Sequence, residues 1–430
     1  MTRTILPMFN RPELDEPIVV TGIGLITAVG TNRESSWAGV QRGECGIDWI
    51  RGLRGIPDET IFGAQISLPE MDPDSNELKA LLFNRRATRE AIEDAEIDWN
   101  VVDPARTGCA ISGHMGDTRG IEIHCSDLVV HENDPFPWWT QIMPNSACAV
   151  IANEWGLNGP RLCHSTACAS GLISLLTAVR SIQDGQCDIA IAGGGEGINP
   201  LFAAGFRNMR ALATGDDPRK ACLPFDVNRK GFVMGAGAAV FVVERLSHAL
   251  RRNARIYCSI NRGAMVGEAH HMTGLDIQSE ALVHLIQQAL KQGELEVEDI
   301  GYINAHGTGT EQNDAAEIAG ISQVFHDCID QLHVSGTKSM IGHLVKAAGC
   351  AELAITILGL RDGVCPPTIG LENLEPNCAF DCVARQASEL RYQSALKLSL
   401  AFGGHLVGVT VSRWNDAQSS YEYPERREAA

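Results

Sequence analysis

The sequence predicts an α/β fold built from two similar halves, and three observations predict it. Short runs of β-branched and apolar residues that close in glycines alternate along the chain with stretches of helical period, the pattern of strands layered with helices. PIVVTGIG at 17–24 and CDIAIAGGG at 187–195 read as strands buried in the fold, feeding Gly-rich loops. The pattern then recurs: PIVVTGIG is echoed by ARIYCSINRG at 254–263, RTGCAISGHMGDT by DIGYINAHGTGT, LCHSTACASG by HVSGTKSMIG, and CDIAIAGGG by LKLSLAFGG. The repetition divides the chain into an N-terminal half over 1–253, a C-terminal half over 254–415 and a polar tail over 416–430.

Taken in order, Pro17–Gly30 opens as a strand and ends in a small-residue loop; its GxG is not a dinucleotide fingerprint. NRESSWAGVQRG follows as a short helix, and the Pro- and Asp-rich stretch 55–75 reads as loop. Leu78–Ala95 has a helical period with Arg85, Arg86 and Arg89 on its polar side, Thr107–Ser112 is a strand, and Gly113–Gly120 is a turn. In the less regular segment 125–160, Trp138 and Trp139 are expected as core or subunit-contact anchors. Leu162–Thr166 ends a short strand, after which Leu172, Ile173, Leu175, Leu176, Val179 and Ile182 recur on a helix too apolar all round for a surface position. The stretch 223–252 is a loop, a Gly-punctuated strand and a helix.

At 44% apolar and 20% charged residues the chain has a globular composition. A formal charge of −18 argues against nucleic-acid binding, which needs a basic surface to displace counterions. The longest nearly unbroken apolar run, GAGAAVFVV, is far short of the roughly 20 residues that span a bilayer, and the first dozen residues do not resemble a secretory signal. The fourteen cysteines form no CxxC pair and no dense framework, so neither a structural metal nor a disulfide scaffold is indicated. Together these readings lead to the expectation of a cytoplasmic protein with reduced thiols. Local basic clusters at Arg85–Arg89, Arg207 and Arg210, Arg219 and Lys220, and Arg251–Arg255 are ordinary solvated faces, one or two of which an acidic partner could use.

Cys168 falls at the first turn of the buried helix, where unpaired N–H groups and the positive dipole end are expected to favour a thiolate, with Gly171 leaving room for a substrate. A lone cysteine is more often a small core residue than a nucleophile. The second half of the chain changes that balance with INAHGTGT at 303–310 and SGTKSMIGHLVKAAG at 335–349, two Gly-rich turns that each present a histidine. STACASG, NAHGTGT, GTKSMIGH and AFGG, in this order and spacing, resemble the β-ketoacyl synthases of the fatty-acid and polyketide condensing-enzyme family, over roughly Pro17 to Arg413.

The resemblance implies the thiolase fold, five alternating layers α-β-α-β-α. It implies decarboxylative Claisen condensation of a Cys-bound acyl chain with malonyl-acyl carrier protein, an acyltransferase reaction. By motif, Cys168 matches the nucleophile, and His306 and His343 match the pair that promotes decarboxylation. Lys338 matches the lysine that supports them, with Glu352 its carboxylate partner. Thr308 and Thr310 match residues that hold the phosphopantetheine arm. Phe232 and Phe402 match pocket aromatics, Phe402 as a gate, and the backbone N–H groups of Cys168 and Phe402 match an oxyanion hole. Asp314 and Glu317 are expected as partners of the HGTGT loop. No cofactor or metal is implied beyond the carrier's phosphopantetheine, and the family pairs as homodimers. Lys346 stands where the pattern has a small residue, and His405–Leu406 replaces the usual Thr-Asn after FGG. These departures leave open a type II polyketide ketosynthase of a specialised pathway. A non-catalytic chain-length-factor partner subunit is a further alternative, against which Cys168 counts; a biosynthetic thiolase would need a second cysteine near the C-terminal Gly turn.

Overall fold

The echo between the halves becomes two strands lying side by side. The computed structural model describes residues 16–414 apart from 54, 70, 72–76, 114–137, 142, 279 and 384–385. Five strands of the main sheet come from the first half: β1 (Ile18–Ile26), β2 (Thr107–Ile111), β3 (Arg161–Leu162), β4 (Ile189–Glu196) and β5 (Gly237–Arg245). Six come from the second: β6 (Cys258–Gly267), β7 (Ile300–Asn304), β8 (His333–Ser335), β9 (Asp381–Cys382), β10 (Ser394–Ala401) and β11 (His405–Arg413). Their order is β9-β8-β7-β10-β11-β6-β1-β5-β4-β2-β3. The halves join where β1 meets β6 antiparallel, with Ile18 opposite Ile260 and Val20 opposite Cys258. Outward from that seam each half repeats one scheme, an antiparallel β5 or β11 followed by parallel strands.

The helices that position the site are α1 (Lys79–Asp94), α2 (Ser146–Glu154), α3 (Ser170–Gln183), α4 (Pro200–Asn208), α5 (Glu280–Gly293), α6 (Glu311–Val324) and α7 (Ala348–Asp362). Helices α1 and α2 cover the outer face of the first half-sheet, α5 and α6 that of the second, and α3 and α7 lie between the two. These are the five layers expected from the resemblance. Sandwiching explains why the strands lack polar alternation. On β4, Ile189 and Ile191 pack into the outer core while Ala190 and Ala192 face the central helices, and on β10 Leu396, Leu398 and Leu400 face outward while Ala395 and Ala401 face in.

Helix α3 buries Leu172, Leu175, Leu176, Val179 and Ile182, each such side chain stabilising the fold by about 1.5–3 kcal/mol. Helix α7 is buried without interruption from Ala348 to Leu360 and stops at Gly363, whose left-handed φ of 70° closes it with an N–H bond to the Gly359 carbonyl. The two helices approach closely, and this corrects the expectation for Gly171. A Cβ added there would lie 2.8 Å from both Cys350 Sγ and the Lys346 carbonyl, so the glycine serves helix packing and not substrate space.

The repetition also shifts in register. The turn Ala167–Ala169 that opens α3 has its counterpart in Val345–Ala347, which opens α7, because the second half inserts a short helix at Lys338–Ile341. Residues 55–75, expected as loop, contain a strand at Phe62–Ala64 that pairs with Asp48–Trp49 and Met234–Gly235. Trp138 and Trp139 begin a helical turn, but their side chains, together with His114, Met115 and the tail from 415 onward, lie outside the described residues. No helix among the described residues is long and apolar enough to cross a membrane.

Candidate active site

Cys168 is the middle residue of the tight turn Ala167–Ala169, held by Ser170, whose Oγ accepts from Thr166 N–H at 2.8 Å and donates to the Ala167 carbonyl at 2.7 Å. From across the central layer, Ser399 Oγ of β10 donates to the Cys168 carbonyl at 3.1 Å. His343 follows Gly342, whose φ of 69° favours glycine and whose added Cβ would sit 3.0 Å from the Met234 carbonyl. Its backbone is fixed on both sides, donating to Val233 O at 2.7 Å and accepting from Gly235 N–H at 2.8 Å. The imidazole Nε2 then lies 2.9 Å from Cys168 Sγ.

His306 ends the run from β7 in a loop that two buried carboxylates shape. Glu317 accepts from the N–H groups of His306 and Gly307 at 2.5 and 2.7 Å, and Asp314 Oδ1 accepts from Thr308 and Gly309 at 3.1 and 3.2 Å. Both stand on α6, three residues apart and so on one face. Burial raises both carboxyls, Glu317 to about 7 with Asp314 adding to the push.

Lys338 Nζ lies 3.2 Å from His306 Nδ1, donates to the His306 carbonyl, and meets Glu352 Oε1 at 2.6 Å. An ammonium only donates, so His306 Nδ1 must accept, which places the ring proton of the neutral imidazole on Nε2. His343 carries no such constraint: among the described residues its Nδ1 has no hydrogen-bond partner, so either tautomer is open to it. The two rings cross at 86° with centroids 5.2 Å apart. Burial first, then the Lys338 charge, holds both imidazoles well below the usual histidine range, so both are neutral at pH 7.

The thiol departs from the sequence expectation. Burial pushes Cys168 up to about 12, with Lys338 opposing the rise, so the resting side chain is a thiol and not a thiolate. The helix dipole is a local and modest term, and full desolvation outweighs it. In the tautomer that carries its ring proton on Nδ1, His343 Nε2 accepts from this S–H.

A cavity of about 430 Å³ starts at Cys168 and is lined by Phe232, His306, Thr308, His343 and Phe402 among others. It adjoins an outer cavity of about 750 Å³ that includes Arg210, Lys230, His270 and His271, and Thr310 and Phe402 line both. Thr308 Oγ1 and Thr310 Oγ1 are 2.9 Å apart. The AFGG turn is tied down by Gly403, whose N–H donates to Met272 O at 2.8 Å. The structure thus gathers Cys168, His306, His343, Thr308, Thr310, Phe232 and Phe402 around one space, with Lys338, Glu352, Asp314 and Glu317 behind it.

Three participants escaped the sequence reading. Lys397 Nζ meets Glu352 Oε2 at 2.8 Å and donates to Asn304 Oδ1 and the Ala305 carbonyl at 3.1 and 2.9 Å. Its signal was a cation in the middle of the apolar strand LKLSLA. Ser399 and Glu196 gave no such signal. Cys168, His306 and His343 offer donor atoms within 4.8 Å of one another, a soft ligand set in type, but the Lys338 ammonium against His306 opposes a cation there.

Known families agree with this geometry. The model of the β-ketoacyl synthase N-terminal domain matches residues 15–249, and that of its C-terminal domain matches residues 257–372. The chain belongs to the β-ketoacyl synthase family. It is 35% identical to the 3-oxoacyl-[acyl-carrier-protein] synthase 2 of Coxiella burnetii over 92% of this chain and 98% of that one. The synthase 2 of Staphylococcus aureus is 33% identical over 90% and 96%. Among solved structures, the ketosynthase assembly AntDE:AntF, described as a type II polyketide acyl-carrier protein in complex with its ketosynthase, superposes with a TM-score of 0.85 at 27% identity over 93% of this chain and 100% of that one. A β-ketoacyl synthase of Burkholderia phymatum gives 0.83 at 26%, over 93% and 100%. The fold of this family member is the thiolase fold.

Proposed function

We propose that the chain transfers an acyl group onto Cys168 and condenses it with malonyl-acyl carrier protein, releasing carbon dioxide and β-ketoacyl-carrier protein. The observation that carries this reading is the 2.9 Å approach of His343 Nε2 to Cys168 Sγ, with His306 beside it, at the base of a two-part cavity. In the first half-reaction the sulfur attacks the carrier thioester carbonyl, its proton passes to His343 Nε2, and the departing carrier thiol takes that proton; one C–S bond forms as another breaks. In the second, the bond to the malonyl carboxylate breaks and its electron pair forms an enolate. His306 Nε2–H, in the tautomer that Lys338 fixes, donates to the enolate oxygen, and His343 joins it once its ring proton is on Nε2. The enolate carbon attacks the acyl carbonyl, and the Cys168 C–S bond breaks to restore the thiol with a solvent proton.

The backbone N–H groups of Cys168 and Phe402 hold the acyl oxygen, Thr308 and Thr310 the phosphopantetheine arm, and Phe402, at the junction of the two cavities, gates the passage. Glu352 anchors Lys338, while Asp314 and Glu317 hold the HGTGT loop. The reaction asks for no cofactor beyond phosphopantetheine. Of the basic clusters, Arg85 is engaged by Glu77 and Glu154, Arg252 by Glu244 and Arg255 by Asp94. Arg210, with Lys230, rims the outer cavity, which suits an acidic carrier. The working unit in this proposal is a cytoplasmic homodimer, which light scattering at micromolar concentration reads directly.

Sequence relatives point to fatty-acid elongation, whereas the likeness to a type II polyketide ketosynthase favours a specialised pathway. One assay tests both the activity and the choice. With acyl- and malonyl-loaded carriers, the expected product is a β-ketoacyl carrier extended by two carbons with one carbon dioxide per turnover. Absence of product from every carrier would defeat the activity. A preference for the general fatty-acid carrier with long saturated chains would select the elongation reading over the specialised one.

A further inference from the structure

Lys346 is the counterpart of Cys168 in the second half. Each is the middle residue of a tight turn that opens a central helix, each turn begins with a positive φ (48° at Ala167, 44° at Val345), and the two turns pack together. The Lys346 side chain is fully buried at a position where the family resemblance leads one to expect a small residue. Its Nζ lies 3.4 Å from Glu196 Oε2, at the end of β4, and 5.5 Å from the centroid of the Phe202 ring. Among the described residues it makes no hydrogen bond, although an ammonium has three donors to satisfy. The steps above do not use it, since Lys338 alone serves His306.

Stability does not account for the pair, because a buried ion pair is commonly matched or bettered by apolar residues of similar volume. Position suggests another role. Phe202 and Val345 line the cavity that starts at Cys168, so one aromatic ring stands between the acyl space and a dry ammonium with donors to spare. A chain that reaches that end and turns the Phe202 ring aside meets the ammonium: a saturated chain leaves its donors unmet, whereas a chain oxygen accepts from them, and a site built around a buried donor discriminates against an analogue that lacks the acceptor.

We propose that Lys346, braced by Glu196, is a specificity-determining residue that favours an acyl chain bearing an oxygen acceptor beyond the thioester over the saturated chain of equal length. This rests on the reading of Cys168 as the acyl acceptor. The test measures the rate of Cys168 acylation by intact mass, using octanoyl thioester and its penultimate-keto, terminal-hydroxy and terminal-carboxy analogues. At least one oxygenated chain is expected to react about tenfold faster than octanoyl, the scale of a hydrogen bond to a charged donor. The variant Lys346→Met with Glu196→Gln, which removes both charges together, is expected to bring the ratio close to one. Octanoyl reacting as fast as every oxygenated chain in the unaltered protein overturns the proposal, and needs no variant to fold. An unchanged ratio in a folded double variant overturns it as well. No adduct from any thioester instead overturns the acyl-acceptor reading itself, and this proposal with it.

Discussion

Cys168→Ala is expected to abolish condensation, lowering turnover by about three orders of magnitude or more, because it removes the thiol that, among the described residues, stands at His343 Nε2. The turn that holds residue 168 depends on Ser170 and on the Ser399 bond to the backbone carbonyl, neither of which the substitution touches. The cost in stability should therefore stay near about 1 kcal/mol, the middle of the range for point changes. Turnover and peptide mapping check this together. An acyl adduct on another cysteine, with condensation retained in Cys168→Ala, would remove Cys168 from its role.

The largest effect on stability is expected at Glu352. Its two carboxylate oxygens lie 2.6 Å from Lys338 Nζ and 2.8 Å from Lys397 Nζ, and all three side chains are shut off from solvent. Glu352→Ala leaves two ammonium groups in the core with no carboxylate between them, and breaking a buried pair from one side costs about 3–5 kcal/mol. Adding Lys397→Met should recover part of that loss, since one uncompensated charge then disappears. Chemical denaturation reads both effects, and a Glu352→Ala protein as stable as the parent would contradict the network. Activity should fall too, because Lys338 would no longer be held where it fixes the His306 tautomer.

What the sequence could reveal followed from how local each feature is. The apolar period of Leu172–Ile182 marks α3 as buried, and the echo of β4 in β10 gives the two-half architecture, because both are patterns within one stretch of chain. Cys168 stood out at the start of that helix and His306 and His343 in their Gly-rich turns, and the motif resemblance joined the three into one expected site. The Glu352–Lys397 contact and the Ser399 bond to Cys168 join segments far apart in the chain, and only the folded central layer brings them together. The same holds for the state of Cys168. A dipole at a helix start can be read from sequence, but the desolvation that overrides it is a property of the packed layers. Lys346 stood out as an odd residue, while its partner Glu196 lies in the other half.

The proposed mechanism divides the labour: Cys168 would carry the acyl group, and a neutral His306, its proton fixed on Nε2 by Lys338, would meet the enolate. His306→Ala separates the two steps most cleanly, since His343 and not His306 touches the thiol at hydrogen-bonding distance. The decisive measurement is release of labelled carbon dioxide from malonyl-carrier protein by the His306→Ala protein, alongside its rate of Cys168 acylation. The account predicts acylation within about tenfold of the parent and carbon dioxide release lower by about two orders of magnitude, the scale of a lost oxyanion donor. Release at the parental rate would contradict it.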